Sequence, residues 1–171
     1  MTSIIKVDQI QTLAGAAPTA ADLGINVTGT TLQTVQHSWN TTTTVSSSTY
    51  IDATGSSFSF TPKSASSTLL ISGSIPIQMF KSTSGAGGTF VLVHDGTVIG
   101  NTGDTHENYF SAAGSTDFNN YFRSYKQDTV AAGSTSPRNV LVRIATYNSA
   151  TFKINPAAIF KSYITITEIA G

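Results

Sequence analysis

The chain has 171 residues, no Cys, nine Lys or Arg, nine Asp or Glu and three His, with charged residues only 11% of the total. Without Cys there is neither a disulfide framework nor a thiolate zinc site. A net charge of zero argues against a nucleic-acid-binding surface, which needs a basic patch or stripe.

The polar residues are mainly hydroxyls: 49 positions are Ser or Thr. With Val, Ile, Phe and Tyr they suit a pleated, half-buried surface, so an all-β protein is expected. The first residues carry charge too early for a signal peptide, and no apolar run approaches the ~20 residues of a membrane span.

Residues 1–33 read as an extended N-terminal arm and linker. Ile4, Ile5, Val7, Ile10 and Leu13 are spaced by polar residues with no sustained period. Ala14 to Pro18 is a breaker segment. Such an arm cannot bury its own apolar side chains, so those five are the expected attachment residues, docking by strand addition or groove packing.

Residues 34–171 read as one β-sandwich head, with eight to ten strands expected. Short pieces lie near Thr34–Trp39 and Ser57–Phe60. Residues 68–80 alternate, with Leu69, Ile71, Gly73, Ile75, Ile77 and Met79 on one face. Pro76 interrupts that pattern and predicts an edge position or a bulge. Gly85 to Gly88 reads as a flexible loop, since it lacks the lysine and helix of a phosphate loop. Residues 89–99 predict a hairpin whose Asp95-Gly96 turn suits type I′. Further strands are expected near Phe118–Tyr125, Asn139–Tyr147, Thr151–Ile154 and Ser162–Ile169. Many short strands separated by turn signals fit a jelly-roll-like antiparallel sandwich.

No catalytic motif stands out, and no enzyme activity or cofactor is expected. His94, His106 and Glu107 are the one set with metal-ligand chemistry, and a solvated polar loop explains them more simply. There is no nucleophile elbow for a Ser-His-Asp triad. No carboxylate pair sits in a context for glycoside hydrolysis, which leaves a polysaccharide hydrolase the weakest reading. The aromatic cluster Tyr109, Phe110, Phe118, Tyr121, Phe122 and Tyr125, with Arg123 and Lys126 beside it, reads first as core or oligomer interface. Its second reading is a receptor contact that stacks on sugar rings.

One stretch carries a resemblance. Tyr50-Ile51-Asp52-Ala53-Thr54-Gly55, then Thr61-Pro62-Lys63-Ser64, then Ser67-Thr68-Leu69-Leu70-Ile71 resembles the head domains of bacteriophage tail-fibre and virion-surface proteins, especially those of marine and cyanobacterial phages. The final strand, residues 162–169, is similar to theirs, and residues 5–15 are similar to their attachment segments. The resemblance implies a homotrimer with a jelly-roll head on the virion surface, made in the host cytoplasm and docked by its arm on the major capsid or a tail protein. Tyr109, Phe110, Tyr121, Phe122 and Tyr125 are then the trimer-interface or receptor residues. No repeat or heptad shaft separates arm from head. That favours a capsid decoration or cement protein, or a short fibre, over a long adhesive fibre. A host receptor-binding head that holds a surface glycan is the alternative. Nucleic acid and membrane are not expected partners.

Overall fold

Alternation in the strand at residues 68–81 sets the architecture. A strand that buries every second side chain must place that face against a second sheet. The structure, a computed structural model, describes residues 28–81, 85–100, 107–110, 118–147 and 150–171. These form twelve strands: β1 (Thr31–Trp39), β2 (Thr43–Val45), β3 (Ile51–Asp52), β4 (Phe58–Phe60), β5 (Thr68–Lys81), β6 (Ala86–His94), β7 (Thr97–Ile99), β8 (Asn108–Phe110), β9 (Phe118–Ala131), β10 (Arg138–Tyr147), β11 (Thr151–Ile154) and β12 (Ser162–Ile169). No helix occurs among the described residues.

Several strands lie end to end and share one column. The first sheet runs β9, β5, then β12 with β11, then β1 with β2. The second runs β7 with β8, then β6, β10, and β4 with β3. Counted along the chain, this makes eight columns. The first pairs with the eighth, the second with the seventh, the third with the sixth and the fourth with the fifth. That nested antiparallel pairing is the jelly roll.

The core lies between the sheets. Leu69, Ile71, Ile75, Ile77 and Met79 of β5 meet Phe90 and Leu92 of β6 and Val140, Val142 and Ile144 of β10, all at most 1% exposed. Each such side chain contributes roughly 1.5–3 kcal/mol by leaving water. A smaller cluster, Val91, Val93 and Leu141, lies on the outer side of the second sheet, where Tyr50 and Val98 pack on it. The β6–β7 turn has Asp95 at φ 47° and Gly96 at φ 80°, the two positive φ values of a type I′ turn.

Three expectations are corrected. Pro76 is neither at an edge nor in a bulge. It sits in a central strand, paired with Arg123 in an unbroken register. β12 pairs with β5 only as far as Ser74, and β11 begins at Ile77. The proline ring, which has no N–H to donate, falls in that gap, where its carbonyl accepts the Asn155 N–H at 3.0 Å. Gly87 and Gly88 are not loop residues but buried members of β6. A Cβ on Gly88 would stand 2.3 Å from the Phe152 ring. The head also begins before residue 34. Gly29 donates to Ala170, Ala170 donates to Thr30, and β1 starts at Thr31.

Asn155 closes the break in the first sheet. It is fully buried and left-handed, with φ 47°. Its amide donates to the carbonyls of Trp39 and Thr41, and its side-chain oxygen accepts the Ser162 hydroxyl at 2.9 Å. Its own carbonyl accepts the Thr42 hydroxyl at 2.6 Å. Two broken columns are thereby joined with no polar group of Asn155 left unpaired.

Candidate functional site

β9 is the edge strand of the first sheet and alternates throughout. Residues 119, 121, 123, 125, 127 and 129 point outward, and their even-numbered neighbours from 120 on turn toward the sandwich. Register then builds rows across the outer face. Tyr125, Ser74, Tyr163 and Ser38 form one, and Tyr121, Gln78, Lys153 and Thr44 another. Tyr121 is 56% exposed and Tyr125 60%. Four strand positions separate them by ~14 Å.

Arg123 lies between the two tyrosines. Its guanidinium donates to the Ser74 carbonyl and hydroxyl and to the Lys161 carbonyl, at 3.0 to 3.2 Å, and sits 6.0 Å over the Tyr163 ring. Gln78 donates to the Tyr121 hydroxyl at 2.7 Å and to Asn119 at 3.0 Å. The Tyr125 hydroxyl donates to Gln127 at 2.7 Å. The β11–β12 loop adds Pro156 and Phe160, which with Pro76, Tyr121, Phe122 and Arg123 line an open cleft of about 230 Å³. Ile159 stands beside them in that loop, 84% exposed.

The structure divides the five aromatic residues expected to act together. Tyr121 and Tyr125 share the outer face. Phe110 and Phe122 turn inward, pack against the core and meet at 5.5 Å between ring centres. Both are partly buried, and Phe122 also lines the cleft. Tyr109 belongs to the other sheet, 46% exposed and edge-on to Tyr147 at 6.0 Å. The attachment residues Ile4, Ile5, Val7, Ile10 and Leu13 lie outside the described residues. Sequence reasoning missed Phe80, Lys153, Phe160 and Tyr163. They come from separate strands and a loop, and only the register brings them to one face.

Titratable groups elsewhere are engaged in structure. Lys126 pairs with Glu107, and the Thr89 hydroxyl bridges them, accepting from Lys126 at 3.0 Å and donating to Glu107 at 2.6 Å. His106 lies outside the described residues. No three His, Asp, Glu or Cys side chains gather as metal ligands among those described. His94 is buried, and its Nε2 has no hydrogen-bond partner among the described residues. Burial, reinforced by the Arg138 charge, holds its imidazole below the ordinary value against the opposing pull of Asp95. Such a group stays neutral at neutral pH. Asp95 itself pairs with Arg138 at 2.7 Å.

The residues of the Tyr50–Ile71 motif are spent on the scaffold. Asp52 pairs with Arg143 at 2.6 Å. Gly55, at φ 81°, lies against Trp39, and its carbonyl bonds the His37 ring at 2.9 Å. The loop from Thr61 to Ser67 wraps the buried Glu168 carboxylate. That carboxylate accepts the Lys63 and Ser64 N–H groups at 2.9 Å, the Ser67 hydroxyl at 2.7 Å and the Gln33 amide at 2.6 Å. Burial alone would raise this carboxyl. Those four donors together outweigh it and hold Glu168 below the ordinary carboxylate range.

Neither protein-family models nor curated proteins match the chain.

Proposed function

We propose that the chain is a non-enzymatic virion structural protein of a bacteriophage, either a capsid decoration or cement protein or a short fibre. In this reading the jelly-roll head stands on the virion surface as a homotrimer. The arm residues Ile4, Ile5, Val7, Ile10 and Leu13 anchor it to the major capsid or a tail protein. One observation carries the reading: the motif that resembles virion-surface heads sits at structural positions in the nested eight-column fold which that resemblance implies. The hydroxyl-rich composition supports it, since a surface module needs a stable, polar exterior.

Sedimentation of the full chain tests the trimer, with three times 17.9 kDa expected. A chain truncated to residues 28–171 tests the arm. It keeps Gly29 and Thr30 and their bonds to Ala170, so its melting temperature should match the full chain. It should fail to bind particles stripped of the native protein. A monomer at micromolar concentration, or a truncated chain that still binds, refutes this reading.

The exposure of Tyr121 and Tyr125 favours a second reading. On a virion surface, a flat aromatic and amide-rich face is a receptor contact.

A further inference from the structure

Charge is segregated between the two faces of the sandwich. Arg138 pairs with Asp95, Arg143 with Asp52 and Lys126 with Glu107, all on the second sheet or along the rim between the sheets. The outer face of the first sheet carries Arg123, Lys153 and the adjoining Lys161, and none of these forms an ion pair among the described residues. No Asp or Glu points outward on this face among the described residues. Among the described residues, this face of a chain with no net charge therefore has a local excess of positive charge.

From this we infer that the outer face of the first sheet binds an acidic, carboxylate-bearing polysaccharide. The inference deepens the receptor-binding reading and rests on it. Three features point to the same ligand. Tyr121 and Tyr125 are exposed rings ~14 Å apart along one strand, a span that suits two sugar rings a few units apart on an extended chain. The amide N–H groups of Gln78 are spent on Asn119 and Tyr121 and the Gln127 oxygen on Tyr125, which leaves the Gln78 oxygen to accept and the Gln127 amide and Ser74 hydroxyl to donate to sugar hydroxyls. Arg123 stands two positions along the strand from Tyr121 and Lys153 two columns across from it, and Arg123 is held in place by two backbone carbonyls. A positioned guanidinium recognises a carboxylate through parallel N–H bonds. The cleft of about 230 Å³ beside Tyr121 is smaller than the ~300–1,000 Å³ of pockets that enclose a drug-sized ligand. It takes part of a chain and leaves the rest on the open face.

Charge also decides against two other occupants. A second copy packed face to face would oppose like charges with no carboxylate among the described residues of that face to relieve them. Three separated cations on a net-neutral chain fall short of the basic stripe that nucleic acid requires.

The test is titration of the full chain with oligogalacturonate, neutral dextran oligomers and oligo(dT), in wild type and in the Lys153→Glu/Lys161→Glu double variant. Oligogalacturonate should bind, and added salt should weaken it. The double variant should bind about tenfold more weakly with an unchanged melting temperature. Neutral dextran should not bind. Tyr121→Ala should also weaken binding and leave the sedimentation coefficient unaltered. No binding of oligogalacturonate, equal binding of dextran, tighter binding of oligo(dT), or full affinity in the double variant each overturns the inference. A Tyr121→Ala chain that dissociates also overturns it, because the face is then the interface between copies. Failure of particle attachment by the truncated chain is read separately and bears only on the anchoring.

Discussion

The Glu168 carboxylate accepts the Ser67 hydroxyl at 2.7 Å across 101 positions of sequence. With Lys63, Ser64 and Gln33, Ser67 makes Glu168 the point where the 61–67 loop, β1 and β12 are tied. Glu168→Gln keeps the volume but turns an amide NH₂ toward a set of donors. Hydrogen bonds to a charged group are the stronger kind, so the change should cost on the order of 3 kcal/mol in urea denaturation. The pH dependence follows from the lowered pKa. The carboxylate's contribution is complete above the unfolded value of 4.5 and is lost as pH falls through the lower folded value. The variant should therefore show a shallower loss of stability in acid. An equally steep acid transition in Glu168→Gln would place the responsible group elsewhere.

His94 is expected to dominate a milder acid range. Its folded pKa lies below the ordinary 6.5, first because of burial and then because of Arg138, with Asp95 opposing. Below pH 6.5 the unfolded chain therefore binds the proton more readily than the folded one, and stability falls with pH. The slope should approach but not exceed about 1.4 kcal/mol per pH unit. Melting temperatures of wild type and His94→Gln between about pH 7.5 and pH 5 check this. The variant should be flatter across that window.

Much of the head was legible because its longest strands announce their faces. Residues 68–80 and 162–169 alternate, Val140, Val142 and Ile144 mark one face of residues 139–147, and Asp95-Gly96 names its own turn. β2, β3 and β8 have two or three residues each, too few for any period to show. β9 misled for another reason. Tyr121 and Phe122 are both aromatic, so parity along the strand did not say which face was buried. Pro76 and Gly88 read as breakers because their reasons are non-local: a gap between β11 and β12, and the Phe152 ring against the backbone. The positive face was equally hidden, since the register sets Lys153 two columns from Tyr121.

Asn155 allows strain and bonding to be separated. Asn155→Ala keeps a Cβ at φ 47° without the polar side chain that lets Asn adopt that conformation, and it strips the partners from Ser162, Trp39 and Thr41. The left-handed conformation costs an ordinary residue roughly 1–2 kcal/mol, and each stranded buried polar group about 1–3 kcal/mol. A total loss of about 4 kcal/mol is expected. Asn155→Gly tolerates the backbone and loses only the bonds, so it should recover about 1 kcal/mol of that. If Gly and Ala variants are equally unstable, φ carries no strain and the bonds alone hold the junction.

The exposed tyrosines separate a solitary face from a covered one. Had Tyr121 and Tyr125 been core residues, truncation to Ala would remove a packed ring at about 3–5 kcal/mol. They are 56% and 60% exposed, and their contacts are hydrogen bonds to Gln78 and Gln127 on the same face. Each Ala variant should therefore cost under about 1 kcal/mol, in the range of ordinary surface substitutions. The loss should stay the same as protein concentration is raised. A face buried between copies behaves otherwise: stability gained by association depends on concentration, and the cost of removing an interface tyrosine grows with it. Thermal melts of wild type, Tyr121→Ala and Tyr125→Ala over a hundredfold concentration range, roughly 1–100 µM, give the answer. Parallel, small shifts leave the face open to a ligand. A gap that widens with concentration assigns the tyrosines to contacts between copies and moves the receptor surface elsewhere on the head.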